Sequence, residues 1–396
     1  MLYHLINWLS SLGTDIPGAN LFHFLSFRAM AAMVISMVTA FISGKRIIAW
    51  LQKKQIGETI RDLGLEGQMQ KKGTPTMGGV IIILSLMVSV LLICDLTSIY
   101  TILLVVTTLW CGALGFLDDS IKVFKHNKEG LSEKKKLIGQ FGLGLTIAVA
   151  MCVSPTIHTD SIVTTIPFVK AHEFDYSWLS PFSGQFGVYC TWAIYMAVII
   201  FVILACSNGT NLADGMDGLS AGTSAIVGVV IGIMAWLSGD VIDAKYLNIM
   251  YISGSGEVAI FMAAFVGALI GFLWYNTYPA MVFMGDTGSL TIGGIIGVSA
   301  VLIRKELLLP LLCGIFLVES LSVILQRWYF KRTKKKYGQG RRIWKMTPLH
   351  HHYQKEGIPA LITKPEKAMP EARIVGRFWI VGLILAVSTL ALLKIR

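Results

Sequence analysis

Charged residues are scarce in this sequence. Only 14% of its 396 residues are Asp, Glu, Lys or Arg, and 54% are hydrophobic, whereas soluble domains carry about 25% charged residues. This scarcity excludes an ordinary soluble domain. The mean hydropathy of +0.66 arises from apolar blocks of about 17 to 25 residues, each long enough to cross a hydrocarbon core of about 30 Å as a helix. The composition predicts an all-α polytopic membrane protein.

Cysteine motifs are also absent. The six cysteines show no Cys-x-x-Cys spacing and lie in or beside apolar blocks, so we interpret them as small buried hydrophobic residues. No Lys or Arg precedes Arg28, so the basic start of a secretory signal peptide is missing. Internal repeats and low-complexity tracts are absent as well. We therefore expect residues 1–396 to form a single integral membrane domain.

The apolar blocks predict about ten transmembrane helices. An even number of spans places both termini on the same side of the membrane. One long loop, 154–188, is rich in Pro, Ser and aromatic residues, and we expect a small interfacial structure there without chemistry. The predicted spans are residues 23–43, 78–94, 99–117, 137–153, 189–206, 219–238, 258–275, 288–303, 307–327 and 376–393.

The distribution of Lys and Arg predicts the orientation of these spans. Loops 44–77, 118–136 and 328–375 hold 7, 6 and 12 basic residues, whereas the segments on the other side hold 6 together. Because short cytoplasmic loops retain positive charge, we expect both termini to lie outside. The net charge of +11 is explained mainly by this bias, although the basic runs 134–136 and 331–336 could also attract anionic head groups or an anionic substrate. We expect contacts with membrane lipids and no nucleic-acid partner.

Five polar clusters all fall on the predicted cytoplasmic side. Chance would scatter them over both sides, so we expect the active site at the cytoplasmic face. The clusters are GTPTMGG at 73–79, LDD with a following Lys at 117–122, NGTNLADGMDGL at 208–219, the segment from Asn276 to GDTGS at 276–289, and TPLHHH at 347–352.

The carboxylates of these clusters suggest a divalent cation. Unpaired acids at a low-dielectric boundary would be costly, and Mg²⁺ is usually held by one or two carboxylates with waters and phosphate oxygens. Neighbouring helical positions point about 100° apart, so at most one of Asp118 and Asp119 aims directly into a shared pocket. Alternatively, Asp214 and Asp217 cap the following helix, and Asp118 pairs with Lys122. The five acids are Asp118, Asp119, Asp214, Asp217 and Asp286.

Glycine-rich segments offer sites for phosphate groups. Residues 214–218 and 285–289 each lead into an apolar helix, whose first N–H groups can receive phosphate, although glycine before a helix is common. Lys71 and Lys122 could complement the phosphates as point charges. Phe283 could stack on a flat base or simply pack in the protein.

Three consecutive histidines form a rarer pattern. His350, His351 and His352 could be solvated or hold an adventitious metal, or one of them could bind phosphate or carry a proton near neutral pH. Only two of the rings can face the same way. Glu319 is an isolated acid inside a predicted span, and we expect it to be paired, with Gln326 two turns on as the candidate partner.

These motifs together resemble one enzyme family. The strings GTPTMGG, FLDD-x-x-K, NGTNLADGMDGL, N-x-x-PA-x-x-FMGDTGSL, ESLSVILQ and TPLHHHYQ are similar to those of the bacterial phospho-N-acetylmuramoyl-pentapeptide transferases. The resemblance covers nearly the whole chain and includes about ten spans with both ends outside. It implies a multi-pass protein of the bacterial inner membrane that acts in peptidoglycan synthesis.

The resemblance also implies a reaction and its site residues. The family transfers phospho-MurNAc-pentapeptide from UDP-MurNAc-pentapeptide to undecaprenyl phosphate, giving lipid I and UMP with Mg²⁺, and a homodimer is implied. By similarity, Asp118 and Asp119 are paired catalytic acids, Asp286 is the metal ligand, and residues 350–352 are the histidine motif. The positions that line the substrate cleft by similarity are Lys71, Thr76, Lys122, Asn208, Asp214, Asp217, Asn276, Phe283 and Gln326.

Alternatives remain open from the sequence. The acceptor phosphate could attack directly, with Asp118 taking its residual proton, or an Asp could first form a covalent phospho-sugar intermediate; we favour direct attack. The enzyme could instead transfer N-acetylglucosamine-1-phosphate from UDP-N-acetylglucosamine. A secondary transporter or flippase is a third hypothesis, suggested by the intramembrane Glu319.

Overall fold

The computed structural model describes residues 1–12, 17–54, 73–124, 130–154, 162–166 and 173–393. One predicted site residue, Lys71, lies outside these ranges. In the described part of the chain the α-helices, numbered in chain order, are α1 Leu2–Ser11, α2 Leu25–Lys53, α3 Gly79–Ile93, α4 Ile99–Phe124, α5 Glu133–Val153, α6 Gly184–Ala213, α7 Leu219–Gly239, α8 Val241–Leu247, α9 Gly256–Asn276, α10 Gly285–Leu302, α11 Leu309–Leu312, α12 Gly314–Tyr337, α13 Leu349–Gln354 and α14 Glu371–Leu392.

Helices occupy every predicted span, but not all of them are long enough to cross a membrane unaided. Within the described ranges eight helices qualify by length and composition, namely α2, α4, α5, α6, α7, α9, α10 and α14. The segment Glu306–Leu312 and α12 together give a ninth if they are one span, bent by 77°. With 15 residues, α3 is only about 22 Å long. The structure therefore supports a polytopic helical protein with eight or nine candidate spans.

Several helices continue beyond the predicted spans. The prediction ended spans at residues 43, 117 and 206, whereas α2 ends at Lys53, α4 at Phe124 and α6 at Ala213. The hydropathy pattern underestimates these helices because their last turns are polar. As a result, Asp118, Asp119 and Asn208 lie in helices rather than in loops.

The central helix of the bundle is α10, which is almost entirely buried, and α7 and α9 are also mostly buried. The sequence of α10, GDTGSLTIGGIIGVSAVL, is rich in small residues, which allow neighbouring helices to approach closely. A Cβ on Gly293 would collide with the backbone of Cys206 in α6, and one on Gly294 would lie 2.7 Å from the Cys111 sulfur in α4. Small residues therefore fix how closely α4 and α6 pack around α10.

The same packing reaches the first turn of α10. A Cβ on Gly115 of α4 would collide with the backbone of Asp286, and one on Gly79 of α3 would collide with the backbone of Gly288. Gly115 lies one turn before Asp118. This close approach places the acids at the end of α4 beside the acid at the start of α10. We call this end of the bundle the site end.

The predicted small structure in the 154–188 loop is present at the opposite end of the bundle. Strands β1 Val163–Thr165 and β2 Glu173–Asp175 pair in antiparallel fashion. Behind them lies a buried charged segment that the sequence did not predict: Lys305 Nζ donates to Thr165 Oγ1 at 2.7 Å, and Tyr176 OH donates to Glu306 Oε1 at 2.9 Å. The hairpin and the residue that follows it therefore supply polar partners to buried charged groups of the bundle.

The contact of Gly115 with α10 leads to a first prediction. We expect Gly115→Ala to destabilise the protein by about 2 kcal/mol because α4 must move away from α10 to accommodate the methyl group. The matched control is Gly376→Ala in α14, where a Cβ would meet nothing within 4 Å and only helix propensity changes. Thermal unfolding in detergent compares the two. Equal melting temperatures would show that the close approach at Gly115 is not required.

Candidate active site

Three carboxylates converge at the site end. Asp118 and Asp119 lie near the end of α4, and Asp286 lies in the first turn of α10. One oxygen from each of the three lies within 4.8 Å of the others. Asp118 and Asp119 are buried and Asp286 is largely buried, so they form a compact anionic cluster that we call the acid triad.

The two neighbouring acids of α4 face different partners, as their helical spacing predicts. Asp119 accepts hydrogen bonds from the backbone N–H of Asp286 at 3.1 Å and from the N–H and hydroxyl of Thr287 at 2.8 and 2.7 Å. These N–H groups belong to the first turn of α10, which has no internal acceptors for them. Asp119 therefore anchors α10 to α4.

Two lysines neutralise much of the charge of the acid triad. Lys122 Nζ lies 2.7 Å from Asp118 Oδ2 and 2.7 Å from Asp286 Oδ2. Lys136 Nζ lies 3.2 and 2.9 Å from the same two oxygens. The Asp118–Lys122 pair that the sequence offered as an alternative is thus present, but it belongs to a larger network. Lys136, at the start of α5, belongs to the basic run 134–136 that could attract an anionic substrate, but it was not predicted as a residue of the acid cluster.

An amide at the end of α6 completes the contacts of Asp286. Asn211 Nδ2 donates to Asp286 Oδ1 and lies 2.8 Å from Ser289 Oγ. Asn211 was not among the predicted site residues, although it lies within the NGTNLADGMDGL cluster that indicated the site. Asn208, the predicted residue one turn earlier, instead donates to Gln140 Oε1 of α5 at 2.8 Å.

The donor set of the acid triad fits a hard divalent cation. Carboxylate oxygens are ligands that Mg²⁺ prefers, and the three side chains present them within the span of a single ion. The side chain of Asp286 is 12% exposed and that of Asp118 is fully buried. Asp286 is therefore the more accessible of these two carboxylates.

The other two predicted acids do not join the triad. Asp217 Oδ2 accepts from the N–H of Ala280 at 3.0 Å, and Asp214 follows the last residue of α6. Asn276 links the same two loops, since its Oδ1 accepts from Gly218 N–H at 3.0 Å and its Nδ2 donates to Val282 O at 2.9 Å. The predicted set of five carboxylates is thus divided between the triad and the adjoining loops.

The loop before α3 joins the same assembly. The N–H of Phe283 donates to Pro75 O, and the N–H of Gly78 donates to Phe283 O, both at 2.8 Å. Thr76 is buried, and its hydroxyl would lie 3.1 Å from a Cβ on Gly285, whose φ of +71° favours glycine. The clusters at 73–79, 208–219 and 276–289 therefore meet around the start of α10.

The histidine motif forms α13, and its three rings have different surroundings. His350 and His352 are buried, whereas His351 is partly exposed and lies 2.9 Å from Gln354 Oε1. His352 Nδ1 accepts from Lys345 N–H at 3.2 Å, and Nε2 lies 2.8 Å from Lys364 O. Because a carbonyl can only accept, Nε2 carries the hydrogen and the ring is neutral. Burial, together with the charge of Lys345, lowers the pKa of His352, against the opposing effect of the Lys364 carbonyl.

The predicted pairing of Glu319 with Gln326 is wrong. Seven residues in a helix span about 10.5 Å, so the two side chains lie on one face of α12 and bind different groups. Gln326 Oε1 accepts from the N–H of Ile343 at 2.9 Å, and its Nε2 donates to Trp344 O at 3.0 Å. Glu319 instead contacts His350, as described below. Gln326 holds the last loop and is not in contact with the acid triad.

Comparison with known proteins assigns the family. The model described as Glycosyl transferase family 4 matches residues 101–304, and Phospho-N-acetylmuramoyl-pentapeptide-transferase signature 1 matches residues 71–83. A phospho-N-acetylmuramoyl-pentapeptide-transferase of Parabacteroides distasonis is 54% identical over 100% of both chains. The chain belongs to the phospho-N-acetylmuramoyl-pentapeptide-transferase family. Proteins of the same name from Porphyromonas gingivalis and Flavobacterium psychrophilum are each 52% identical, again over the full length of both chains.

The matched stretches coincide with the site end. The Glycosyl transferase family 4 match contains the whole acid triad together with Lys122, Lys136 and Asn211. Signature 1 contains Thr76 and Gly79, the glycine of α3 that packs against α10. The helices α12 and α13 lie beyond both matches and are covered by the full-length relatives.

The neutral His352 leads to a second prediction. The pKa of His352 is lower in the folded protein than in the unfolded chain. The stability that the neutral ring gives to the folded protein is therefore complete above about pH 6.5 and is lost as the pH falls below that value. Protonation would break the bond from Lys345 N–H. We expect the segment 345–365 to open more readily at pH 5.5 than at pH 7.5. Its equilibrium constant for opening should rise by at most about tenfold per pH unit.

Hydrogen exchange corrected for its intrinsic pH dependence measures this opening. Peptides from α9 serve as the internal reference, and His352→Gln should open to a similar extent at both pH values. Equal protection of 345–365 at both pH values in the unaltered protein would contradict the structural role of the neutral ring.

Proposed function

We propose that this protein transfers phospho-MurNAc-pentapeptide from UDP-MurNAc-pentapeptide to undecaprenyl phosphate, producing lipid I and UMP in peptidoglycan synthesis. Family membership over the full length supports the reaction. The observation that carries it is the acid triad with two bridging lysines, since phosphoryl transfer between two anions depends on positioned positive charge and metal ligands.

The cellular setting is part of the proposal. We place the site end at the cytoplasmic face of the bacterial inner membrane. In this proposal the chain forms one domain with ten spans and both termini outside, and two copies of it form a homodimer. The bias of basic loops towards this side supports the orientation. The loops that meet around α10 are proposed to receive the nucleotide and the sugar, with Lys71, Thr76, Asp214, Asp217, Asn276 and Phe283 among the lining residues.

The acid triad is proposed to hold Mg²⁺, with Asp286 as the principal ligand and Asp118 and Asp119 as further ligands. When bound, Mg²⁺ would neutralise the diphosphate and stabilise charge on the leaving UMP. Lys122 and Lys136 keep Asp118 and Asp286 close together despite their like charge, and their ammonium groups would supply positive charge to a bound diphosphate.

Direct attack by the lipid phosphate remains the preferred route. A covalent intermediate requires an accessible carboxylate, but both oxygens of Asp118 are already bonded, Oδ1 to the N–H of Leu131 at 2.7 Å and Oδ2 to the two lysines. Asp119 is occupied by the first turn of α10. The second pKa of the acceptor phosphate is about 6, so the acceptor is largely deprotonated near pH 7 and needs little base assistance. Asp118, the base expected from the sequence, would take the residual proton only after its Oδ2 exchanges a lysine for the acceptor. Of the three histidines, the partly exposed His351 is the one proposed to face substrate.

UMP release tests the reaction and its main alternative. We expect purified protein with undecaprenyl phosphate to release UMP from UDP-MurNAc-pentapeptide in the presence of Mg²⁺ and to lose this activity with EDTA. UDP-N-acetylglucosamine offered in its place should give no release. Release from UDP-N-acetylglucosamine alone would establish the alternative transferase, and no release from either donor would leave the transporter hypothesis.

The assignment of Asp286 is tested by Asp286→Asn. We expect a loss of turnover of about 100-fold or more with a weaker dependence on Mg²⁺, while the protein remains folded in size-exclusion chromatography. The matched control is Asp243→Asn in α8, outside the acid triad, which should retain activity. Turnover of Asp286→Asn equal to that of the control would rule out Asp286 as the metal ligand.

A further inference from the structure

Glu319 is a buried acid that the proposed chemistry does not use. It lies in the second turn of α12, and its side chain and that of His350 are both fully buried. The Glu319 carboxylate accepts from the backbone N–H of His350, with Oε1 at 3.1 Å and Oε2 at 3.3 Å. Its Oε2 also lies 3.3 Å from His350 Nδ1. One carboxylate thus engages both the backbone and the ring of the same histidine.

The position of the carboxylate favours a hydrogen on Nδ1. At 3.3 Å the contact of Glu319 with the ring is electrostatic and not an aligned hydrogen bond, but a carboxylate can only accept, so it is best placed against a nitrogen that carries a hydrogen. A group of this kind is a usual means of fixing a histidine tautomer. In the described part of the chain, no Lys or Arg lies within ion-pair distance of Glu319. His350 is therefore its only compensating group there, and the expected form has the hydrogen on Nδ1.

The other ring nitrogen of His350 faces the Asp214–Asp217 loop. A Cβ on Gly215 would collide with His350 Nε2, so the ring packs directly on the backbone of this loop. Within the described residues neither ring nitrogen has a geometrically aligned hydrogen-bond partner. The ring therefore acts as a spacer between α12 and the loop, and its orientation depends on the contact with Glu319.

We propose that Glu319 is a positioning residue for the transfer reaction: it holds His350 in the Nδ1–H tautomer and thereby sets the position of the Asp214–Asp217 loop. This inference rests on the proposed function, in which that loop receives the nucleotide-sugar donor. Because Glu319 acts through His350 on the donor side, its loss should affect donor binding and leave the affinity for the lipid acceptor unchanged.

The first test is kinetic. We expect Glu319→Gln to raise KM for UDP-MurNAc-pentapeptide about tenfold, as is typical when a group that orients a ligating histidine is lost, and to change KM for undecaprenyl phosphate less than twofold. Glu319→Asp keeps the carboxylate and should restore part of the donor affinity. The matched control is Glu306→Gln, another buried acid, at the opposite end of the bundle. An equal rise of donor KM in this control would overturn the proposal.

The second test does not depend on activity. In ¹⁵N-histidine NMR spectra of the protein in lipid, the His350 signals are identified by their loss in His350→Gln. We expect Nδ1 of His350 to be protonated in the unaltered protein and in Glu319→Asp, and to lose this preference in Glu319→Gln. A His350 ring protonated only at Nε2 in the unaltered protein would overturn the proposal.

The two tests separate the inference from the proposed function. An unaltered protein that releases no UMP would contradict the function, whereas the NMR comparison would still decide whether Glu319 orients His350. An active protein in which Glu319→Gln changes neither the NMR signature nor the donor KM would contradict the inference alone. If Glu319→Gln does not fold, the tautomer of His350 in the unaltered protein still decides whether Glu319 orients the ring.

Discussion

The close packing of the first turn of α10 against the last turns of α4 is the constraint on which the candidate site depends. Two features maintain it. Gly115 removes the side chain that would keep the helices apart, and Asp119 accepts the N–H groups of Asp286 and Thr287. Helix ends leave backbone groups without internal partners. The Asp119 carboxylate accepts hydrogen bonds from the first N–H groups of α10 and thereby fixes the position of α10 along α4. Asp286 is thereby brought to Asp118.

Charge balance is the second requirement of this arrangement. Three closely spaced and largely buried carboxylates are tolerated only if they are paired. Lys122 comes from α4 and Lys136 from α5, so three helices contribute to one network. An assembly with partly compensated acids and two ammonium groups is suited to a substrate that carries both phosphates and a divalent cation. The pairing of the acids with two lysines therefore accounts both for the stability of the site and for its proposed chemistry.

A separate polar face on α12 holds the last loop in place. Glu319, Gln326 and Thr333 all accept hydrogen bonds from backbone N–H groups, those of His350, Ile343 and Arg341. A long basic loop would otherwise have to satisfy these groups with water. The buried polar residues of α12 thus order the segment that carries the histidines, and they explain why a helix that is partly hydrophobic contains an acid in its second turn.

A helix occupies each predicted span, but within the described residues only eight or nine are long and apolar enough to cross a membrane. The sequence was sufficient for the helical class and for the grouping of the polar clusters at one end of the bundle. Each of these follows from a property of the residue itself, namely its preference for lipid or water. Helix ends were underestimated, as at Lys53 and Ala213, because a polar turn can remain helical when it packs against other helices. Hydropathy does not record that packing.

Pairings between distant residues were decided by the tertiary structure. Lys136 and Asn211 join Asp286, and Glu319 joins His350 rather than Gln326. Nothing in the local sequence distinguishes Lys136 from its basic neighbours or Asn211 from Asn208. The sequence by itself determined which residues are polar within an apolar chain. Which of them meet was decided by the approach of α4, α5, α6 and α12 to their neighbours, because a contact between side chains depends on the distance and rotation of whole helices.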